Sequence, residues 1–176
     1  DIPTNAVELL IAAAFGQGHT PQVRSQAAIA LLKVDDALAF ETALATVAAL
    51  YEVNERSPEY TASWAALKDV RILEPRAELL ITKADNAEAI VTEFAAACLL
   101  ILGNAEVVSP ESKALAESYF DKSWQSSTGK LQILKAALIA NARWLEAKVR
   151  LALEDSDEGV KQAASQVATA WKLKPE

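Results

Sequence analysis

Residues 145–173 read LEAKVRLALEDSDEGVKQAASQVATAWKL, and this stretch decides the fold. A helix is followed by a short acidic turn carrying Asp155, Ser156, Asp157 and Gly159, and Val160-Lys161 opens a second helix. Ala163, Ala164, Val167 and Ala168 then recur at the three- and four-residue spacing of one helical face. One such hairpin cannot bury its apolar stripe alone, so the unit is built for stacking against neighbours.

Composition agrees. Of 176 residues 36 are Ala, with only 5 Gly and 6 Pro. Ala is the best helix former and Gly and Pro the worst, which predicts an all-α chain. The length suits a single domain over residues 1–176, large enough to bury a substantial core. The net charge of −7 argues against nucleic acid as a partner, since phosphate binding needs a basic footprint. Residues 1–60 hold 8 acids and 3 bases, residues 61–120 hold 9 and 5, and residues 121–176 hold 7 and 9. Cys98 is the sole cysteine, which leaves no internal disulfide. It lies in the apolar run FAAACLLIL and reads as a core residue. No run of about 18 apolar residues is present, so no membrane span is expected. The chain starts at Asp1 and contains no Met; it is expected to be a processed chain or a segment of a larger protein.

The same grammar runs along the chain. After a lead-in at 1–4, Thr4 or Asn5 is expected to cap a helix from Ala6 to about Gln17, with Val7, Leu10, Ile11, Ala14 and Phe15 inward. Thr20-Pro21, Ser57-Pro58 and Ser109-Pro110 each place a capping hydroxyl before a proline at the first helical position, where the missing N–H had no partner. Asp35-Asp36 opens a helix whose expected core is Leu38, Ala43, Leu44, Val47, Leu50 and Tyr51. Glu74-Pro75 begins a shorter helix after a connector at 69–73, and Asp85 with Glu88 matches a capping box for the next. That helix, 88–102, is apolar almost all round and is expected to be the most buried. Gly103-Asn104 should end it through a left-handed cap. Helices follow after Ser109-Pro110, with Leu115, Ala116, Tyr119 and Phe120, and from Lys130 to about Asn141, with a weak break at 141–143. The tail from Lys172 to Glu176 is expected to fray.

Second helices of successive pairs start near 21, 58, 87, 129 and 158, a spacing of a helical repeat array. The first pair, AVELLIAAAFGQGHTPQVRSQAAIALLKV (6–34), matches the last: both put a Val and a base, Val23-Arg24 and Val160-Lys161, just inside the second helix. In these residues, with Asp155 and Asp157 in the turn and Pro21 in the first pair, the chain resembles the HEAT-repeat (HEAT-like, armadillo-type) α-solenoid family. The middle pairs lack the Val-base signature. The resemblance implies an α-α superhelix of about five stacked antiparallel helix pairs, second helices lining its concave side. It implies no activity.

Chemical motifs are sparse. His19 lies in a Gly-rich turn with no partner motif and reads as a solvent-facing residue. One His and one Cys supply no local signature for zinc or for a Ser-His-Asp triad. Gly16-Gln17-Gly18 follows a helix and lacks a downstream Gly-Lys, so it is not a phosphate loop. In the Asp155–Gly159 turn the glycine is fifth and Gln166 stands where a calcium loop needs its twelfth-position Glu; helix capping explains the acids better. Trp64, Trp124, Trp144 and Trp171 could anchor a partner but read first as inter-repeat core, with Trp124 the best candidate for exposure. No catalytic, cofactor-binding or metal-binding residue is therefore assigned. The expectation is a non-enzymatic interaction or scaffold module that presents a solenoid surface to a protein partner or to an adjacent domain of the same polypeptide. The alternatives are a helical accessory region of a larger multidomain enzyme, such as one with a catalytic or cytochrome domain, and, more remotely, a HEAT-like DNA base-excision enzyme, which would need a basic groove.

Overall fold

The computed structural model describes residues 4–16 and 18–174. Residues 1–3 of the expected lead-in at 1–4, Gln17 and the tail residues 175–176 lie outside the described residues. The chain is all-α, with no strand among the described residues. Its helices are α1 (Thr4–Phe15), α2 (Pro21–Leu31), α3 (Ala37–Asn54), α4 (Pro58–Leu67), α5 (Val70–Leu73), α6 (Ala77–Asn86), α7 (Ala89–Asn104), α8 (Pro110–Ser123), α9 (Ser127–Ala140), α10 (Glu146–Ala152) and α11 (Glu158–Trp171). Short 3₁₀ turns occupy Glu74–Arg76 and Arg143–Leu145. The chain divides into two compact units, residues 1–79 and 80–176.

Helix starts follow the local chemistry closely. Thr20, Ser57 and Ser109 accept N–H bonds from Val23, Tyr60 and Ser112, each with proline at the first helical position. Asp36 accepts from Ala39 at 2.8 Å, Ser126 from Gly129 at 3.1 Å, and Asp157 from Gly159 and Val160 at 2.9 and 3.2 Å. Each side chain satisfies an amide that the helix itself cannot, and contributes about 1 kcal/mol when the group is neutral.

Four expectations at helix ends are corrected. The helix placed at Ala6 begins at Thr4. The capping box fails: α6 continues through Asp85, whose carboxylate pairs instead with Lys122 at 3.4 Å, and Glu88 caps nothing with its side chain. Gly103 is not a left-handed stop, because α7 runs on to Asn104. The break at 141–143 is sharp, since Asn141 adopts φ 49° and turns the chain into the 3₁₀ segment.

In the first unit α2 lies against α1, α3 and α4, while α1 also meets α3 and α3 meets α4. Two ranks result, first helices beside first helices and second beside second. Ser25 and Ser63 hydroxyls meet at 2.7 Å in the buried α2–α4 contact, and Ser25 Oγ also lies 3.1 Å from the Glu59 carbonyl. The small side chains let the helices approach, and the hydrogen bonds cancel the cost of burying the hydroxyls. Arg24 Nε donates to the Ala14 carbonyl at 2.9 Å, tying α2 to the C-terminal turn of α1. Leu31, Phe40, Leu44, Val47 and Leu67 form the core. Phe15 (54% exposed) and Leu38 face outward, against expectation: α1 is an edge helix, and Leu38 sits in the first turn of α3 on its outer side.

In the second unit α9 packs beside both α7 and α11, α8 packs on α7 and α9, and α10 on α11. As expected, α7 is the most enclosed, with every residue from Phe94 to Leu100 buried. The buried Tyr119 hydroxyl is 2.6 Å from Gln132 Nε2, which also donates to the Ala84 carbonyl at 2.8 Å. The organising hairpin at 145–173 is present as α10, the Asp155–Asp157 turn and α11. Lys130 binds Asp155 at 2.6 Å, and this contact, followed by the Asp157 amide, holds the Asp155 carboxyl below the usual carboxylate range. The tail at 172–174 is fixed rather than frayed. Lys172 takes a left-handed φ of 55°, Leu173 N donates to Ala168 O at 2.9 Å, and Lys174 O accepts from Arg150. The end of α9 repeats this: after left-handed Asn141, Ala142 N donates to Ala137 O at 2.9 Å. Both ends bond back six residues to one, the Schellman pattern.

The Val-base signature occupies the same third and fourth helical positions in α2 and α11. Its two copies nevertheless differ. Val160 is fully buried, near α9, whereas Val23 is exposed, since α2 has no earlier second helix beside it among the described residues. Arg24 caps α1, whereas Lys161 pairs with Glu158 in its own first turn at 2.7 Å.

Candidate functional site

On the second unit a cleft of about 240 Å³ opens between α7, α8 and the turn after α9. Three features of sequence build it. Leu99, Leu100 and Gly103 form the α7 side, on the helix that is apolar all round. Ala116, Glu117, Phe120 and Asp121 form the α8 side, where residues four apart share an edge. Trp144 closes it from the 3₁₀ turn that left-handed Asn141 creates. Gly103 leaves room here, because a Cβ on it would meet the Ala116 methyl only at 3.6 Å.

The aromatic residues form one cluster. Phe120 stacks on Trp124 with centroids 5.6 Å apart and meets Trp144 at 6.1 Å in a tilted contact. Lys148 Nζ lies 5.7 Å from the Trp124 centroid and 6.0 Å from that of Phe120. The negative faces of these rings therefore already attract one cation. Glu117 and Asp121 stand exposed at the rim, one helical turn apart, and neither pairs with a cation among the described residues.

The tryptophans are the main correction to the expected surface. Trp144, expected in the core, is 45% exposed; Trp124, the expected exposed one, is half-buried on Phe120. Trp64 is half-buried in the first unit and Trp171 is buried. The structure thus brings two of the four together with Phe120, expected on the apolar face of its helix, and adds Glu117 and Asp121, which no motif in the sequence marks. The available signal was the 116/117/120/121 spacing on α8 beside an all-apolar α7.

The other residues weighed for chemistry lie apart. His19 is in an exposed turn, as expected. Cys98 is fully buried in α7, and that burial pushes its thiol far above the usual range, so it stays protonated and unreactive. Asp157 serves as a helix cap, its carboxyl held low first by the Val160 amide and then by the Ser127 side chain. Among the described residues, no group of three or more His, Cys, Asp or Glu could hold a metal ion, and no helix is long and apolar enough to cross a membrane.

Comparison with protein-family models, with curated proteins and with solved structures finds no match to this chain.

Proposed function

We propose that this chain is a HEAT-like protein-interaction module, non-enzymatic in itself, whose binding site is the cleft between α7, α8 and Trp144. The observation that carries the reading is Trp144, nearly half exposed at the mouth of an apolar cleft. A large aromatic ring left partly in water beside a ready pocket is the usual anchor of a protein interface. The layered helices support the HEAT-like part, since second helices lie beside second helices within each unit. The non-enzymatic part rests on the lining: aliphatic chains, two rings and two exposed carboxylates, with His19 elsewhere and Cys98 sealed. The partner is a segment of another protein or of a neighbouring domain in the same polypeptide.

Selection of a displayed peptide library on the full chain tests this. Enriched peptides should lose binding to a Trp144→Ser variant of unchanged thermal stability. Enriched peptides that bind that variant as well as the parent would locate the interaction elsewhere and reject the proposal.

A further inference from the structure

We propose that the cleft receives the guanidinium of an arginine side chain carried on the partner segment. The inference rests on the reading of the cleft as an interaction site and adds the chemistry of what enters it. Its size points to a single side chain: about 240 Å³ is below the roughly 300–1,000 Å³ of pockets for drug-sized molecules. Its electrostatics point to a cation. Glu117 and Asp121 place two carboxylates at the rim without a cationic partner among the described residues, and the rings of Phe120 and Trp144 wall the interior. Ring faces and carboxylates share one preference, for positive charge.

Lys148 supplies an internal precedent. Its ammonium sits over Phe120 and Trp124, while Lys148 itself does not line the cleft. Arginine fits better than lysine because its planar fork stacks on a ring while bonding carboxylates edge-on, and it is more weakly hydrated than an ammonium. The aliphatic stem of arginine would lie along Leu99, Leu100 and Gly103.

The experiment titrates acetyl-arginine amide, and separately its neutral isostere acetyl-citrulline amide, into the full chain. The readouts are the Trp144 indole N–H and the Gly103 amide in nitrogen–proton correlation spectra. The arginine probe should shift both signals saturably, at least tenfold more tightly than citrulline, and less tightly as salt rises. A Glu117→Gln, Asp121→Asn double variant, exposed and conservative, should keep its melting temperature and lose at least tenfold in arginine affinity. Equal binding of citrulline, unchanged affinity in the double variant, or no shift at Trp144 overturns the arginine assignment. Those results leave the peptide-selection test standing, where peptides that dock at Trp144 without a basic residue would show an interaction site of different chemistry.

Discussion

Two glycines in the second unit make opposite predictions for the same substitution. Both are helical, so replacement by alanine gains backbone propensity, up to about 1 kcal/mol. At Gly103 the new methyl would sit 3.6 Å from the Ala116 Cβ, an ordinary contact, and Gly103→Ala should stabilise the unit by about 0.5–1 kcal/mol. At Gly129 a Cβ would fall 1.9 Å from the Ser123 carbonyl oxygen and 2.6 Å from its carbon. Those atoms are backbone at the end of α8, so no side chain can swing away; the elbow into α9 must open. Overpacking costs typically about 1–3 kcal/mol and more where backbone must move. Gly129 is also in the first helical turn, held by the Ser126 cap, where the propensity gain is smallest. Gly129→Ala should therefore lose about 2 kcal/mol or more, placing the two variants roughly 3 kcal/mol apart, about a hundredfold in folding equilibrium. Urea unfolding followed by circular dichroism and tryptophan fluorescence reads both. Equal stability of the two variants, or a Gly129→Ala protein as stable as the parent, would refute the tight α8–α9 elbow.

Three further outcomes follow from the helix ends. Asp157 has a carboxyl held below its unfolded value, so its contribution is present above the ordinary aspartate range near pH 3.9 and is lost as pH falls through the lower folded value; Asp157→Asn should flatten the pH dependence of the urea midpoint in that window only. Arg24→Ala removes the donor to the Ala14 carbonyl and should cost about 1–2 kcal/mol, with faster amide exchange in α1, while a destabilisation equal in all helices would contradict the assigned cap. Lys172→Gly relieves a left-handed non-glycine residue and should raise stability by about 1 kcal/mol, read from the melting temperature.

Helix starts were legible in the sequence because their causes are local. Thr20-Pro21, Ser57-Pro58 and Ser109-Pro110 need only a hydroxyl, a fixed φ and an amide three residues on. Local signals failed where neighbours competed for the same group. Asp85 belongs to Lys122 rather than to a cap, and Gly103 is an interior residue of α7 rather than a stop. Lys172 carries no sequence sign of a left-handed conformation, which is imposed by the bond from Leu173 to Ala168. The buried character of 94–100 was readable from composition alone; the division into two compact units was not. The cleft was illegible for a related reason. Phe120, Trp144 and Leu99 are far apart in sequence, and only the turn at Asn141 carries Trp144 to α8. Which tryptophan meets water depends on that turn, and the polar run Gln125-Ser126-Ser127 beside Trp124 points to the other ring.

The rank formed by α7, α9 and α11 has a consequence for descent. In this rank α9 lies between α7 and α11, and α9 and α11 each also pack on the helix that precedes them, α8 and α10. A gene duplication that adds one hairpin would create one new interface of a kind already present and leave the others as they were. Length in such a unit changes by whole hairpins, and each copy then drifts by itself. Arg24 binds the end of a neighbouring helix while Lys161 serves its own first turn, so the base after each valine is held in a different way.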